Sequence, residues 1–304
     1  METRVLPFDD AAIDEAARLI LSGEPVAVPT ETVYGLAADA TNSKAVARIY
    51  EAKGRPSINP LIVHVSDLAA AQDIGTFSDE AMELARSYWP GPLTLVVPMR
   101  RGSEVASLVT AGLPSVGLRV PDHPAMRALL MASGRPLAAP SANSSGSISP
   151  TRAKHVLKSL GGRIALIIDG GATERGIEST IIAATTGSLR LLRRGPIEVE
   201  AAPSSRSTIE APGQLASHYA PSKPLRLDAR QAGDDEFLIG FGDVAGESNL
   251  SRSADLVEAA SRLFDLLHDA DSSANKRIAV APVPDEGLGA AINDRLRRAA
   301  AKGA

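Results

Sequence analysis

Cysteine is absent from all 304 residues. That removes disulfides, thiolate metal sites and cysteine nucleophiles. Aromatic residues make up only 3% of the chain, so Val, Ile, Leu and Ala have to fill the interior. No apolar run approaches the roughly 20 residues needed to cross a bilayer. The first residues lack a basic segment followed by an apolar stretch, so no secretory signal is read and a cytoplasmic location is expected. The five histidines are scattered, with no pair at metal-ligand spacing. There is no GxxxxGK[ST] phosphate loop and no nucleophile elbow. Gly240-Phe241-Gly242 follows a strand-like run, but its spacing to Gly246 breaks the dinucleotide fingerprint. An excess of either charge is missing too: 20 Lys+Arg face 21 Asp+Glu up to residue 200, and 12 face 15 beyond it. A protein that grips nucleic acid through phosphate neutralisation normally carries a basic face.

What is present suits a globular protein of one large or two smaller domains: 44% hydrophobic residues and a mean hydropathy of +0.00. A first helix is expected from Asp10 to Ser22, with Ala11, Ile13, Ala16, Ala17 and Ile20 on its apolar side, Asp9 or Asp10 as cap and Gly23 as stop. Strands follow at Val26–Val28, Leu61–Val65, Leu93–Val97, Val116–Val120, Leu137–Ala139, Ala165–Ile168, Thr180–Ala183 and Leu189–Arg193. Helices are expected near Ser43–Ala52, Asp79–Tyr88, Ala125–Ser133 and Arg152–Leu160. This alternation predicts an α/β domain with a partly parallel sheet. From Ala201 to Pro224 the chain turns rich in Pro, Ser and Gly, as an extended linker does, around the island Ser217-His218-Tyr219-Ala220-Pro221. Strands at Leu225–Leu227, Phe237–Gly240 and Ile278–Pro282, with helices at Ala254–Leu267 and Ala290–Ala301, make a short second α/β unit.

Between Glu24 and Val65 the reading is an apolar strand, the polar corner Pro29-Thr30-Glu31-Thr32, a helix, the turn Lys53-Gly54-Arg55-Pro56 and another strand. Strand-to-helix corners are where open α/β sheets place ligand-binding groups, and two cations beside hydroxyls suit a negatively charged small molecule. In Ser115–Val120, Val116, Leu118 and Val120 share one face, while Ser115, Gly117 and Arg119 share the other. The second face is a poor core and a good cavity floor. It is equally the pattern of an edge strand with a solvated arginine. Pro140-Ser141-Ala142-Asn143 ends a strand with donors that can cradle phosphate, or form an ordinary turn. Ser179 stands at the mouth of a strand, and Arg193-Arg194 end the next, as a bidentate phosphate holder or a solvated terminus. His64 closes an apolar strand, as a structural residue or a catalyst.

In this order these stretches resemble the YrdC-like family, the threonylcarbamoyl-AMP synthases. The matching pieces are Pro29–Leu36, Lys53–Pro56 with Asn59-Pro60-Leu61 and His64, Trp89–Thr94, Thr110–Gly112, Val116–Pro121, Ala139–Asn143, Ser149–Thr151, Asp169–Gly171, Gly176–Ile181 and Arg193–Pro196. His218-Tyr219-Ala220-Pro221 with the α/β tail is similar to the longer, two-domain branch. The resemblance implies a twisted mixed-sheet α/β domain with a cationic cavity over 1–200, a linker or lid over 201–224, and a small Rossmann-like α/β domain over 225–304. It implies joining of L-threonine, bicarbonate and ATP into threonylcarbamoyl-adenylate and pyrophosphate, with Mg²⁺ accompanying ATP and no metal held by protein ligands alone. A tRNA-modifying threonylcarbamoyl-transfer complex would take the product, with no tight tRNA binding by this chain. Thr30, His64, Arg119, Ala139 (through its backbone) and Ser179 would surround threonine. Lys53, Arg55, Asn59, Ser115, Ser141, Asn143, Ser149, Arg193 and Tyr219 would hold ATP, with Lys53, Arg55 and Arg119 carrying catalysis. Two other readings are a carbamoyl-adenylate-forming domain of the hydrogenase-maturation type and a non-catalytic RNA-binding module. The lack of cysteine and the even charge weigh against them.

Overall fold

The computed structural model describes residues 2–203, 210–213 and 218–301; Ser204, Ser205, Ser207 and Ser217 of the expected linker lie outside them. The chain opens with strand β1 (Arg4–Pro7) and helix α1 (Asp10–Leu21). Asp9 caps α1 by accepting the Ala12 N–H at 2.8 Å, which satisfies one of the orphan donors of the first turn. Ala12, Ile13, Ala16, Ala17 and Ile20 form its buried face, so Ala12 holds the place expected of Ala11, which is exposed.

Strands β2 (Val26–Pro29) and β3 (Tyr34–Asp39) come next, and they pair antiparallel from Val26↔Ala37 to Pro29↔Tyr34. The polar corner is therefore a hairpin loop and not the strand-to-helix corner the pattern suggested. Every residue of β3 is buried, so the strand shows none of the alternation that marks a half-exposed one. Helix α2 (Ser43–Lys53) starts at Asn42, whose side chain accepts two N–H groups, and stops at Gly54 in the left-handed region, φ 60°. Lys53 and Arg55 thus flank a helix end.

There follow β4 (Ile62–His64), α3 (Leu68–Ile74), α4 (Asp79–Tyr88), β5 (Leu93–Pro98), β6 (Ser115–Arg119), α5 (Pro124–Ser133), β7 (Leu137–Ala138) and α6 (Ala153–Leu160). Then come β8 (Leu166–Asp169), β9 (Thr180–Thr186), β10 (Ser188–Arg193) and the short β11 (Ala202–Pro203). Together the strands make an 11-stranded mixed sheet in the order β1-β8-β2-β3-β7-β4-β6-β5-β9-β10-β11. The linker opens by adding β11 alongside β10, in parallel. The C-terminal unit holds β12 (Leu225–Arg226), β13 (Glu236–Gly240), β14 (Ser248–Asn249), α7 (Leu256–Ser272), β15 (Arg277–Val280) and α8 (Gly287–Ala300). Its four strands are all parallel, ordered β12-β15-β13-β14. Among the described residues, no helix is long and apolar enough to cross a membrane.

The two units share a core. Val33, Ile148 and Ile177 of the large unit and Tyr219 of the linker pack in one buried cluster with Phe264, Leu263 and Leu267 of α7. Polar contacts surround it. Arg152 reaches Asp265 at 3.0 Å, His155 Nε2 lies 3.2 Å from the same carboxylate, and His268 Nε2 is 3.1 Å from the Ser149 carbonyl.

Candidate active site

Strand ends β2, β4, β6 and β10, and the residues bordering β7 and β9, converge on one face of the large sheet. Thr30, His64, Arg119, Ala139, Ser141, Ser179 and Arg193 line a cavity there with Arg55. The alternation in β6 sorts as its pattern predicts. Val116 and Leu118 enter the core, while Arg119 faces this cavity and Ser115 and Gly117 line an adjoining recess with Thr94 and Thr110. Pro212, Gly213, His218 and Tyr219 cover the cavity, and Glu210, Ala211 and Pro212 cover the recess. The enclosed space under the linker is about 40 Å³, room for roughly three water molecules.

Arg119 is 4% exposed. Its Nε donates to Gly91 O at 3.2 Å, Nη1 to Thr32 Oγ1 at 3.1 Å, and Nη2 lies 2.6 Å from Glu31 Oε1. Thr32 and Thr30 share a hydroxyl–hydroxyl bond of 2.8 Å, and Thr30 Oγ1 donates to Val33 O at 2.7 Å. The hairpin loop thereby orients the guanidinium. Two N–H bonds of the fork are left for a ligand carboxylate. His64 is the register partner of Arg119 on β4. Its Nδ1 has no hydrogen-bond partner among the described residues, and burial, with Arg119 nearby, holds its pKa down to about 3.

Ser179 Oγ lies 2.8 Å from Thr94 Oγ1 and accepts from Arg193 Nη2 at 3.1 Å, while Arg193 Nε donates to Ser179 O at 3.0 Å. Arg194 is exposed. The two arginines therefore do not act as a pair, because consecutive residues at a strand end take opposite faces. Arg55 donates to Asn59 O and Pro60 O, and burial brings its pKa down to about 10. Lys53 donates to Ser141 O at 2.6 Å and to Asn143 O; burial, with Arg55 beside it, holds it well below the ordinary lysine range. Its ammonium thus ties down the loop after β7. Asn143 turns its Nδ2 onto Ser144 O and Ser147 O. The side chain of Asn59 is buried with neither polar atom partnered among the described residues. The Ala139 N–H donates to Ile62 O, which leaves its carbonyl as the backbone group able to meet a ligand. Ser149 Oγ lies 2.5 Å from Glu178 Oε1. Tyr219 is 1% exposed, at φ 64°, with its hydroxyl unpartnered among the described residues.

The sequence pattern assigns no role to Glu31, Thr32, Glu178 or Arg295. Glu31 lies in the polar corner, where a carboxylate within a cationic site is itself a signal. Arg295 sits on the apolar stripe of α8 with Ala291, Ile292, Leu296 and Ala299. An arginine at that helical spacing marks a buried charge in search of a partner.

Burial holds His64, His218 and His268 neutral, each with a pKa near about 3. An unfolded histidine titrates near about 6.5. Their contribution to stability is complete above that value and is lost as the pH falls toward about 3. The melting temperature is expected to drop between about pH 7 and about pH 5, above the range where carboxylates titrate. Equal melting temperatures at both would show these imidazoles to be protonated or hydrated in the native state.

The chain matches two family models: Sua5/YciO/YrdC, described as telomere recombination, over residues 18–195, and the C-terminal domain of threonylcarbamoyl-AMP synthase over residues 173–301. It is 40% identical to a threonylcarbamoyl-AMP synthase of Bacillus subtilis, covering 98% of this chain and 95% of the relative. It is 38% identical to the protein of that name from Pyrococcus abyssi, covering 93% and 92%. The crystal structure of P. abyssi Sua5 complexed with L-threonine superposes with a TM-score of 0.90 at 36% identity, covering 98% of both chains.

Proposed function

The chain belongs to the Sua5/YciO/YrdC family of threonylcarbamoyl-AMP synthases, and from that premise we propose that its linker-covered cavity joins L-threonine, bicarbonate and ATP into threonylcarbamoyl-AMP and pyrophosphate. The observation that carries this reading is the convergence of Arg55, Arg119 and Arg193 on one enclosed space with Ser179 between them. The reaction must bring a carbamate and a triphosphate together, two anions that repel each other. Fixed cations in a buried cavity offset that repulsion.

The neutral amine of threonine attacks the bicarbonate carbon, and a C–O bond breaks with loss of water to give the carbamate. One carbamate oxygen attacks the α-phosphorus in line with departing pyrophosphate. Arg119 presents the free part of its fork to the threonine carboxylate. His64, neutral and with an unused Nδ1, faces the amine side, and Ser179 and the Ala139 carbonyl complete the pocket. Arg55 and Arg193 lie along the phosphates, and Lys53 acts through the Ser141–Asn143 loop it holds. No protein nucleophile is needed, because positioning of this kind accounts for large rate factors by itself.

Mg²⁺ arriving with ATP would supply charge neutralisation on the phosphates. Glu31 and Glu178 are each already held by an arginine, which suits an ion coordinated by phosphate oxygens and water. The nucleotide does not fit beneath the covering residues as they lie, so Pro212, Gly213, His218 and Tyr219 move aside to admit it and close over it, with Tyr219 as the seated side chain. The even charge of both units supports a division of labour: a threonylcarbamoyl-transfer complex in the cytoplasm binds the tRNA, and this chain supplies the adenylate.

Purified protein with ATP, Mg²⁺ and bicarbonate is expected to release pyrophosphate only when L-threonine is present, with serine much poorer and a product of threonylcarbamoyl-AMP mass. Release with carbamoyl phosphate in place of threonine would point instead to chemistry of the hydrogenase-maturation type.

A further inference from the structure

Arg295 lies in α8, outside the motifs that line the cavity, and is the largest fully buried side chain among the described residues, at 0% exposure. A lone guanidinium in such a place is strongly disfavoured unless its donors are matched. Here they are matched across the two units. Nε lies 3.1 Å from Glu178 Oε2, Nη1 donates to Arg194 O at 2.6 Å, and Nη2 reaches Glu178 O at 3.4 Å. Asp294 stands 3.3 Å from Nη1, and the guanidinium carbon is 5.6 Å from the centre of the Tyr219 ring.

The two anchor points are informative. Glu178 immediately precedes Ser179, and Arg194 immediately follows Arg193. Arg295 therefore grips the backbone one residue away from each of the two cavity groups that bond to each other. Between them Gly195 passes so close that a Cβ there would collide with the backbone of Glu178, Ser179 and Thr180. These strand ends are packed against each other within the large unit, and Arg295 ties both of them to the C-terminal unit. Glu178 itself lines the cavity and faces Ser149, Arg193, His218 and Tyr219 as well as Arg295, while Asp294 meets Arg295 and not Glu178. Left alone, its carboxylate would confront the triphosphate.

We propose that Arg295 is a positioning residue for the nucleotide, by which the C-terminal unit aligns Ser179 with Arg193 and neutralises Glu178 beside the phosphates. This rests on the synthase reading above. It assigns that unit a part in the reaction, beyond carrying the linker. Burial raises the Glu178 pKa, but Arg295 and then Arg193 more than offset it, and the carboxyl lies below its usual range. Without Arg295 the largest influence opposing burial is lost, and Glu178 takes up a proton at higher pH than it does beside Arg295.

The test uses the full chain. Wild type must first show threonine-dependent pyrophosphate release; failure there rejects the synthase reading itself, before any variant is made. Given that activity, Arg295→Met is expected to raise the KM for ATP by about tenfold or more at about pH 8. The defect should narrow as the pH is lowered and Glu178 is protonated, and Arg295→Met combined with Glu178→Gln should recover much of the loss. A folded Arg295→Met protein with wild-type KM overturns the proposal. So does a defect that neither pH nor Glu178→Gln relieves, because a purely structural role would behave in that way. If Arg295→Met fails to fold, Arg295→Lys decides. It keeps the charge but cannot span Glu178 and the Arg194 carbonyl together, so a raised KM for ATP supports the proposal and an unchanged one overturns it.

Discussion

Arg119→Ala is expected to abolish threonine-dependent turnover, lowering kcat/KM for threonine by about a thousandfold or more. Two effects combine. The variant loses the fork that meets the substrate carboxylate, and it strands Glu31, which is 5% exposed and relies on Arg119 as its buried counter-charge. Breaking such a pair from one side costs about 3–5 kcal/mol, so the melting temperature should fall as well. Thr32 and Thr30 then lose the donor that fixes the hairpin loop. The measurement is steady-state pyrophosphate release against threonine concentration, alongside thermal melting. A folded Arg119→Ala protein with wild-type threonine dependence would remove Arg119 from the site.

A chain ending at Ala202 is the second large effect. It should lose detectable turnover and much of its soluble yield. The cut removes Pro212, Gly213, His218 and Tyr219 from over the cavity, and it uncovers Val33, Ile148 and Ile177, which pack against α7 and the linker. Newly exposed apolar patches of this kind drive association. It also deprives Glu178 of Arg295, and the Ser149 carbonyl of His268. A monomeric, cooperatively melting fragment that retains wild-type kcat/KM for both substrates would reduce the linker and the C-terminal unit to accessories.

These two expectations start from features of different visibility. Arg119 stands out in the sequence because β6 alternates strictly, and the alternation predicts which residues floor a cavity. The cap at Asp9, the stop at Gly23 and the apolar face of α1 are equally local. Each depends on residues within one or two turns of each other, so the order of residues suffices to read them. The face of α1 slips by one position only at Ala11 and Ala12, where both residues are alanine and the pattern has nothing to discriminate. β3 escaped because a strand buried on both faces loses its period. Its Tyr-Gly-Leu-Ala-Ala-Asp run therefore reads as part of a corner leading to a helix.

The chain's order of residues determined its family, its α/β class and several of the polar residues that line the cavity, since those rest on short motifs and on backbone periodicity. Only the tertiary structure decided how that set is wired. It separated Arg193 from Arg194, committed Lys53 to a loop rather than to open space, gave Arg119 a buried carboxylate partner, and laid the linker over the cavity. It also joined Arg295 to Glu178 across 117 positions of chain. The physical reason is that a buried charge has to be matched by whatever the fold brings beside it, and that neighbour is chosen by sheet order and domain packing, which no local pattern contains.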